Sequence, residues 1–235
     1  MQHCQLRSIP ILTAAPKKIT AHLLDHIKNQ NGFLPVVTFN ITMFGAHSPG
    51  LLKWLKQHAL FTVDGIGIAI LLLFGKFRFV QRFPGIDMVK KLLQNAETKF
   101  NVAMIGSTDQ SLMGAIGWVK SIGHNVVFKR NGYELLTQDD FNCLKEAKPD
   151  LILVACGCPK QDEIIHQASK VLNQGVAIGV GGSFDVWSGR TQRAPFLFRL
   201  LGFEWLYRMI REPFRLGRLV HSLIYFFTSK SFVKD

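Results

Sequence analysis

Asp150-Leu-Ile-Leu-Val-Ala-Cys-Gly157 and Gly175-Val-Ala-Ile-Gly-Val-Gly-Gly182 decide the fold of this chain. Each is a short run of apolar residues that ends on glycine, too short for a helix and too uniformly apolar for a strand with one wet face. Working outward, the theme recurs at Leu34-Pro-Val-Val-Thr-Phe39, Leu60-Phe-Thr-Val63, Asn101-Val-Ala-Met-Ile-Gly-Ser107 and Asn125-Val-Val-Phe128. Helical stretches such as Gln110 to Lys120 separate them. Buried strands alternating with helices predict an α/β, Rossmann-like, mostly parallel sheet with helices on both faces. Ligands of such sheets bind outside the carboxyl ends of the strands, so the residues just after each run are the ones to inspect.

The chain has 235 residues, nearly half of them apolar, which excludes disorder and allows one large body. Its formal net charge is +12. From Arg190 to Asp235 nine Lys/Arg face three Asp/Glu, so half of that excess lies in the last fifth of the chain. Composition shifts to Arg, Phe and Leu at that point. The expected organisation is a body over residues 1–192 and a C-terminal basic helical appendage over 193–235. Four cysteines, Cys4, Cys143, Cys156 and Cys158, are too few and too irregular for a disulfide framework and read as reduced core residues. Cys156-x-Cys158 is half of a metal motif with no partner pair at ligand spacing, and the histidines are scattered and read as structural. No signal-peptide pattern opens the chain, and the longest apolar run, Ile66 to Phe74, is too short to span a bilayer; a cytoplasmic placement is expected.

Thr38 and Asn40 follow the first run and point to one side of an extended segment. They suit a sugar or phosphate oxygen, or else Asn40 simply caps a turn. Asp64 ends the second run in Val63-Asp-Gly-Ile-Gly67, where partial burial suits a general base; an N-cap is the alternative. In Arg82-Phe-Pro-Gly-Ile-Asp87 the cation can neutralise a diphosphate, with Asp87 either steadying Arg82 or capping the next helix. Gly157-Cys-Pro-Lys160-Gln161-Asp162 offers a cation and an amide at a helix start, a place that favours anions. Gly179-Val-Gly181-Gly182-Ser183-Phe-Asp185 is a second glycine-rich strand end. Neither it nor Gly106-Ser-Thr has dinucleotide-fingerprint or P-loop spacing. Several such loops at successive strand ends, with Lys160 and Arg82, lead us to expect a nucleotide-diphosphate site, and the lack of an Asp-x-Asp pair points to charge neutralisation by Arg, Lys and N–H groups, with no metal and no cofactor expected. In the tail, Arg208, Arg211, Arg215 and Arg218 fall within an arc of about 80° on one helix, with Leu216, Leu219, Val220, Leu223, Phe226 and Phe227 on the arc beside them. That is a basic amphipathic pattern for an anionic membrane surface, interrupted at Pro213. A helix packed on the body with solvated arginines is the alternative.

These pieces, in this order, resemble the WecG/TagA/CpsF family of glycosyltransferases. The matching residues are Thr38-x-Asn40, Asp64-Gly-Ile-Gly67, Arg82 with Gly85-Ile-Asp87, Gly157-x-Pro-Lys-Gln161, Gly179-Val-Gly-Gly-Ser-Phe-Asp185, Arg193-Ala-Pro195, Glu204-Trp-Leu-Tyr-Arg208 and Glu212-Pro-x-Arg215. The resemblance implies an inverting, metal-independent transferase. Its donor would be UDP-N-acetylmannosamine, the corresponding uronic acid or a related hexose, and its acceptor an N-acetylglucosaminyl diphosphate polyprenol. It implies Asp64 as the base, Thr38, Asn40 and Gln161 in the pocket, and the tail arginines against the membrane and the acceptor diphosphate, peripherally on the inner face of the plasma membrane. The chain departs from the family at Val63, where Pro is usual, and at Asp162, where Glu is usual. Two rival classes remain at this level. An NAD-type oxidoreductase would want the missing glycine fingerprint. A non-enzymatic nucleic-acid or anionic-surface binder would use the basic tail without its apolar half, so no nucleic-acid partner is expected. Homo-oligomerisation is left open.

Overall fold

In the computed structural model, residues 3–6, 8–74 and 80–200 are described, together with Phe203, Glu204, Leu206, Tyr207, Gly217, Val220 and Ile224. Arg208, Arg211, Arg215 and Arg218, and with them the expected basic helix, lie outside the described residues. Eight described strands form one sheet: β1 (His3–Leu6), β2 (Ile9–Leu12), β3 (Phe33–Phe39), β4 (Leu60–Val63), β5 (Asn101–Gly106), β6 (Asn125–Arg130), β7 (Leu151–Ala155) and β8 (Gly175–Gly179). Their order is β1-β2-β4-β3-β8-β7-β5-β6, and every neighbouring pair is parallel except the β1–β2 hairpin at one edge. The expected mostly parallel α/β sheet is present, and the six expected strands all lie in it. The hairpin was not foreseen: its two four-residue strands carry too little periodic signal to be read from sequence.

The described helices are α1 (Pro16–Lys28), α2 (Pro49–His58), α3 (Ile66–Phe74), α4 (Gly85–Gln94), α5 (Asp109–Ser121), α6 (Gln138–Glu146), α7 (Lys160–Ala168), α8 (Ser183–Trp187) and α9 (Phe196–Leu200). They cover both faces of the sheet because successive strand residues point to opposite sides. On one face Leu151 and Leu153 of β7 and Val176 and Ile178 of β8 join Leu23 of α1, Met88 of α4 and Val119 of α5. On the other, Ile152, Val154 and Ala177 meet α6 and α7 through Leu144 and Ile165, while Val37 and Phe61 meet α2 and α3 through Leu55 and Ile68. Strands β7 and β8 are buried along their whole length, which is why they read as unbroken apolar runs. Edge strand β6 alternates exposed and half-buried residues instead. Among the described residues no helix is long and apolar enough to cross a membrane.

Candidate active site

The strand order places the carboxyl ends of β4, β3, β8 and β7 side by side, and the residues singled out from the sequence sit on those ends. Thr38, the penultimate residue of β3, is buried, and its hydroxyl donates to the Gly179 carbonyl of β8 at 3.0 Å. The bond stitches β3 to β8 at their carboxyl ends and leaves the hydroxyl oxygen able to accept. Asn40 follows β3 and caps the 3₁₀ turn Ile41–Met43: its Oδ1 accepts from the Thr42 backbone N–H at 3.0 Å and the Thr42 hydroxyl at 2.6 Å. The capping alternative therefore holds for Asn40, and its amide N–H₂ donors are not used in that role.

Asp64 follows β4, is half-buried, and its backbone N–H donates to Phe39 of β3 at 3.0 Å. Gly65 and Gly67 let the start of α3 come close. A Cβ at Gly65 would stand 3.3 Å from Cβ of Asn40, and one at Gly67 3.3 Å from the Ile41 side chain. The Asp-Gly-Ile-Gly motif is thus a close-packing device that holds Asp64 against the Asn40 segment. The chain then returns over the strand ends: Phe83 donates to Val63 of β4 at 2.6 Å, which puts the neighbouring Arg82 at the Asp64 end of the site. Gly85 opens α4 directly over Thr38, where a Cβ would lie 3.2 Å from Cγ2 of Thr38.

Asp87, in the first turn of α4, is gripped by Arg193 through a two-pronged guanidinium–carboxylate contact, 2.7 Å at Oδ1 with the second prong at Oδ2. Glu204 lies 3.9 Å from the same guanidinium. Burial opposes the charge of Arg193. The hydrogen bonds and charge of Asp87, then the charges of Glu204 and Asp64, outweigh it and hold the group above the usual arginine range. Arg193 therefore ties Asp87 to Glu204 and adds positive charge in the neighbourhood of Asp64. The sequence suggested Asp87 as a support for a nearby cation; Arg193, which binds it, lies 106 residues away and is visible beforehand only as part of Arg193-Ala-Pro195.

At the end of β7, Gln161 is buried, and its Oε1 accepts from the Gly181 N–H at 3.0 Å. Gly179 has no side chain because the Gln161 amide occupies that space: a Cβ would stand 2.4 Å from its nitrogen. Gly181 takes a positive φ of 51°, so the turn after β8 needs a residue that tolerates the left-handed region. Lys160 donates to the Gly132 carbonyl at 2.7 Å, tying the β7 and β6 loops together and leaving two ammonium protons for a ligand. Ser183 and Asp185 look inward: the Ser183 hydroxyl donates to Val180 at 2.6 Å, and Oδ1 of Asp185 accepts from Ser107 at 3.0 Å and Ser111 at 2.6 Å. These bonds anchor the Gly181-Gly182 turn to β5 and α5. Next door, His47, Cys158 and Asp162 converge, which no local spacing revealed because the histidine comes from a segment 115 residues before the carboxylate. A separate open concavity of about 400 Å³, bounded by Lys99, Lys120, His124 and Asn125, lies at the amino ends of β5 and β6, the wrong end of a parallel sheet for ligand chemistry.

Residues 4–233 match the glycosyl transferase WecG/TagA/CpsF family. The chain belongs to this family. The sugar-transferase class read from the sequence is the class of the family, and the oxidoreductase and nucleic-acid readings fall away. The chain is 35% identical over 162 residues to an N-acetylglucosaminyldiphosphoundecaprenol N-acetyl-beta-D-mannosaminyltransferase of Bacillus subtilis (strain 168), covering 67% of this chain and 62% of that protein. It is 30% identical over 192 residues to the transferase of the same name from Staphylococcus aureus (strain MW2), covering 80% of this chain and 76% of that protein. The matched region thus spans less than two thirds of the Bacillus relative.

Proposed function

We propose that this protein transfers an N-acetylmannosamine-type sugar from UDP to a polyprenyl-diphosphate-linked sugar, with inversion at the anomeric carbon, on the inner face of the cytoplasmic membrane. The observation that carries the reading is Asp64: a half-buried carboxylate at the end of β4, held beside Asn40 and within the field of Arg193. In one displacement Asp64 takes the proton of the acceptor hydroxyl, and the freed oxygen attacks the anomeric carbon. The bond from that carbon to the diphosphate oxygen breaks, and UDP leaves with both electrons. Asn40 and the oxygen of Thr38 orient the sugar. Arg82, Lys160 and the turn from Gly179 to Ser183, which Gln161 holds in shape, take up the charge on the leaving diphosphate. The arginines at 208, 211, 215 and 218 engage the acceptor diphosphate and the anionic surface. No divalent metal bridges the diphosphate in this scheme.

The test is to incubate the protein with a short-chain lipid diphosphate N-acetylglucosamine and a panel of UDP-sugars, and to follow UDP release. UDP-N-acetylmannosamine or its uronic acid should turn over fastest, at a rate unchanged by added Mg²⁺ or Mn²⁺. A different preferred sugar would revise the donor; strict dependence on Mg²⁺ or Mn²⁺ would overturn the charge-neutralisation scheme.

A further inference from the structure

We propose that His47, Cys158 and Asp162 form a zinc-binding site that pins the segment after β3 to the start of α7. Nε2 of His47 lies 2.9 Å from Oδ2 of Asp162 and 3.5 Å from Sγ of Cys158, and the three ligand atoms all lie within 4.8 Å of one another. The histidine and aspartate side chains are 2% and 0% exposed. Oδ1 of Asp162 is buried with no hydrogen-bond partner.

Hydrogen bonding alone does not satisfy this arrangement. Both the thiol and the carboxylate approach the same ring nitrogen, which carries at most one proton. That nitrogen serves either as donor to Asp162 or as acceptor from the thiol, not as both. In both cases Oδ1 stays unpaired, and an unsatisfied buried acceptor costs about 1–3 kcal/mol. The shared nitrogen also rules out a nucleophile relay, in which the acid must hold the opposite ring nitrogen. A divalent cation at the point of convergence resolves all three contacts. A thiolate, a carboxylate and a neutral imidazole around a dication sum to zero charge, which a buried site requires.

Thiolate, imidazole and carboxylate together select zinc over the harder calcium and magnesium. Zinc–ligand bonds of about 2.0–2.3 Å in a tetrahedron set ligand atoms roughly 3.4–3.5 Å apart. The sulfur–nitrogen separation already has that value. The nitrogen–oxygen contact has to open by about half an ångström and the carboxylate to turn toward sulfur, within the reach of a side-chain adjustment. Cys158 is the half-buried member and gives the ion its approach. The consequence is structural: Asn40 and Gln161 stand on the two segments that the ion would join, so it would set the width of the pocket between them without touching substrate.

The experiment needs no activity and so stands apart from the proposed transfer. The full chain is purified without a histidine tag and its zinc measured by mass spectrometry; the ion is then stripped, and Co²⁺ is titrated in while the near-ultraviolet thiolate-to-cobalt band is followed. About one equivalent of zinc is expected in the wild type and in Cys156→Ser. The cobalt band should vanish in Cys158→Ser, and affinity should fall by more than about tenfold in His47→Gln, the size lost when only an outer hydrogen bond to a ligand is removed. Cys158→Ser leaves the His47–Asp162 pair in place, so it decides the matter if His47→Gln folds poorly. Wild-type protein with less than about a tenth of an equivalent and no cobalt band would overturn the proposal. So would zinc and a cobalt band undiminished in Cys158→Ser.

Discussion

Replacing Asp64 by Asn keeps the shape of the side chain and its backbone bond to Phe39 but removes the proton acceptor. Transfer should fall by about 10²–10⁴ while UDP binding by calorimetry stays close to wild type; a variant retaining more than about a tenth of the rate would unseat Asp64 as the base. Arg193 tests a different idea, that one guanidinium holds the acidic residues around the pocket in register. Arg193→Ala should lower stability by about 1.5–3 kcal/mol in urea melts, since it removes charged hydrogen bonds from a pair whose side chains are only 20% and 36% exposed. Arg193→Lys keeps the charge and loses the fork. It should recover part of the stability, yet transfer should remain down by about 10²-fold, the usual cost of a small misplacement in a site. If Lys restores full activity, charge alone suffices and the two-pronged grip on Asp87 is incidental.

At the scale of elements, helix α6 shows how local chemistry sets a boundary. Thr137 caps it by accepting from Asp140 N–H at 3.2 Å, while Oδ2 of Asp140 accepts from the Thr137 N–H at 2.8 Å and hydroxyl at 2.9 Å. Thr137→Ala should cost about 1 kcal/mol at neutral pH. The Thr137 N–H, against a small opposing effect of burial and helped by the Thr137 hydroxyl and Arg130, holds the Asp140 carboxyl below the usual range. Its folded pKa is therefore below the unfolded value of about 3.9, so its contribution is present above that value and lost as pH falls through the lower folded one. The stability gap between wild type and Asp140→Asn in urea should be open at neutral pH and close in acid below about pH 4. A gap that persists in acid would mean that Asp140 acts through shape and not charge.

At the scale of the molecule, the basic tail is the proposed contact with the membrane. Each arginine near an anionic surface contributes about 1 kcal/mol. Arg215→Glu with Arg218→Glu should therefore weaken binding to phosphatidylserine-containing vesicles by at least about tenfold at low salt, and the difference should shrink as salt rises. Equal binding of the double variant would assign the tail to packing alone.

How much of this was legible follows from the range of each interaction. Strands β3, β4, β7 and β8 announced themselves because burial on both faces demands unbroken apolar runs, and Gly65, Gly85, Gly179 and Gly181 because backbone and side chains pass too close there for a Cβ or the turn needs a positive φ. Asn40, Asp64, Lys160 and Gln161 were singled out as candidates by looking after those strands. What composition and spacing do not encode is which distant groups meet. Arg193 reaches Asp87 across 106 residues and His47 reaches Asp162 across 115, and both pairings exist only because the sheet brings its strand ends together. The sequence by itself determined the layered fold and the family, and it directed the search for a site to one end of the sheet, since these depend on local periodicity and on motifs read in order. Tertiary structure decided which cation holds Asp87, which hydroxyls are already spent, and where a thiol, an imidazole and a carboxylate converge, because pairing through space depends on strand order and not on separation along the chain.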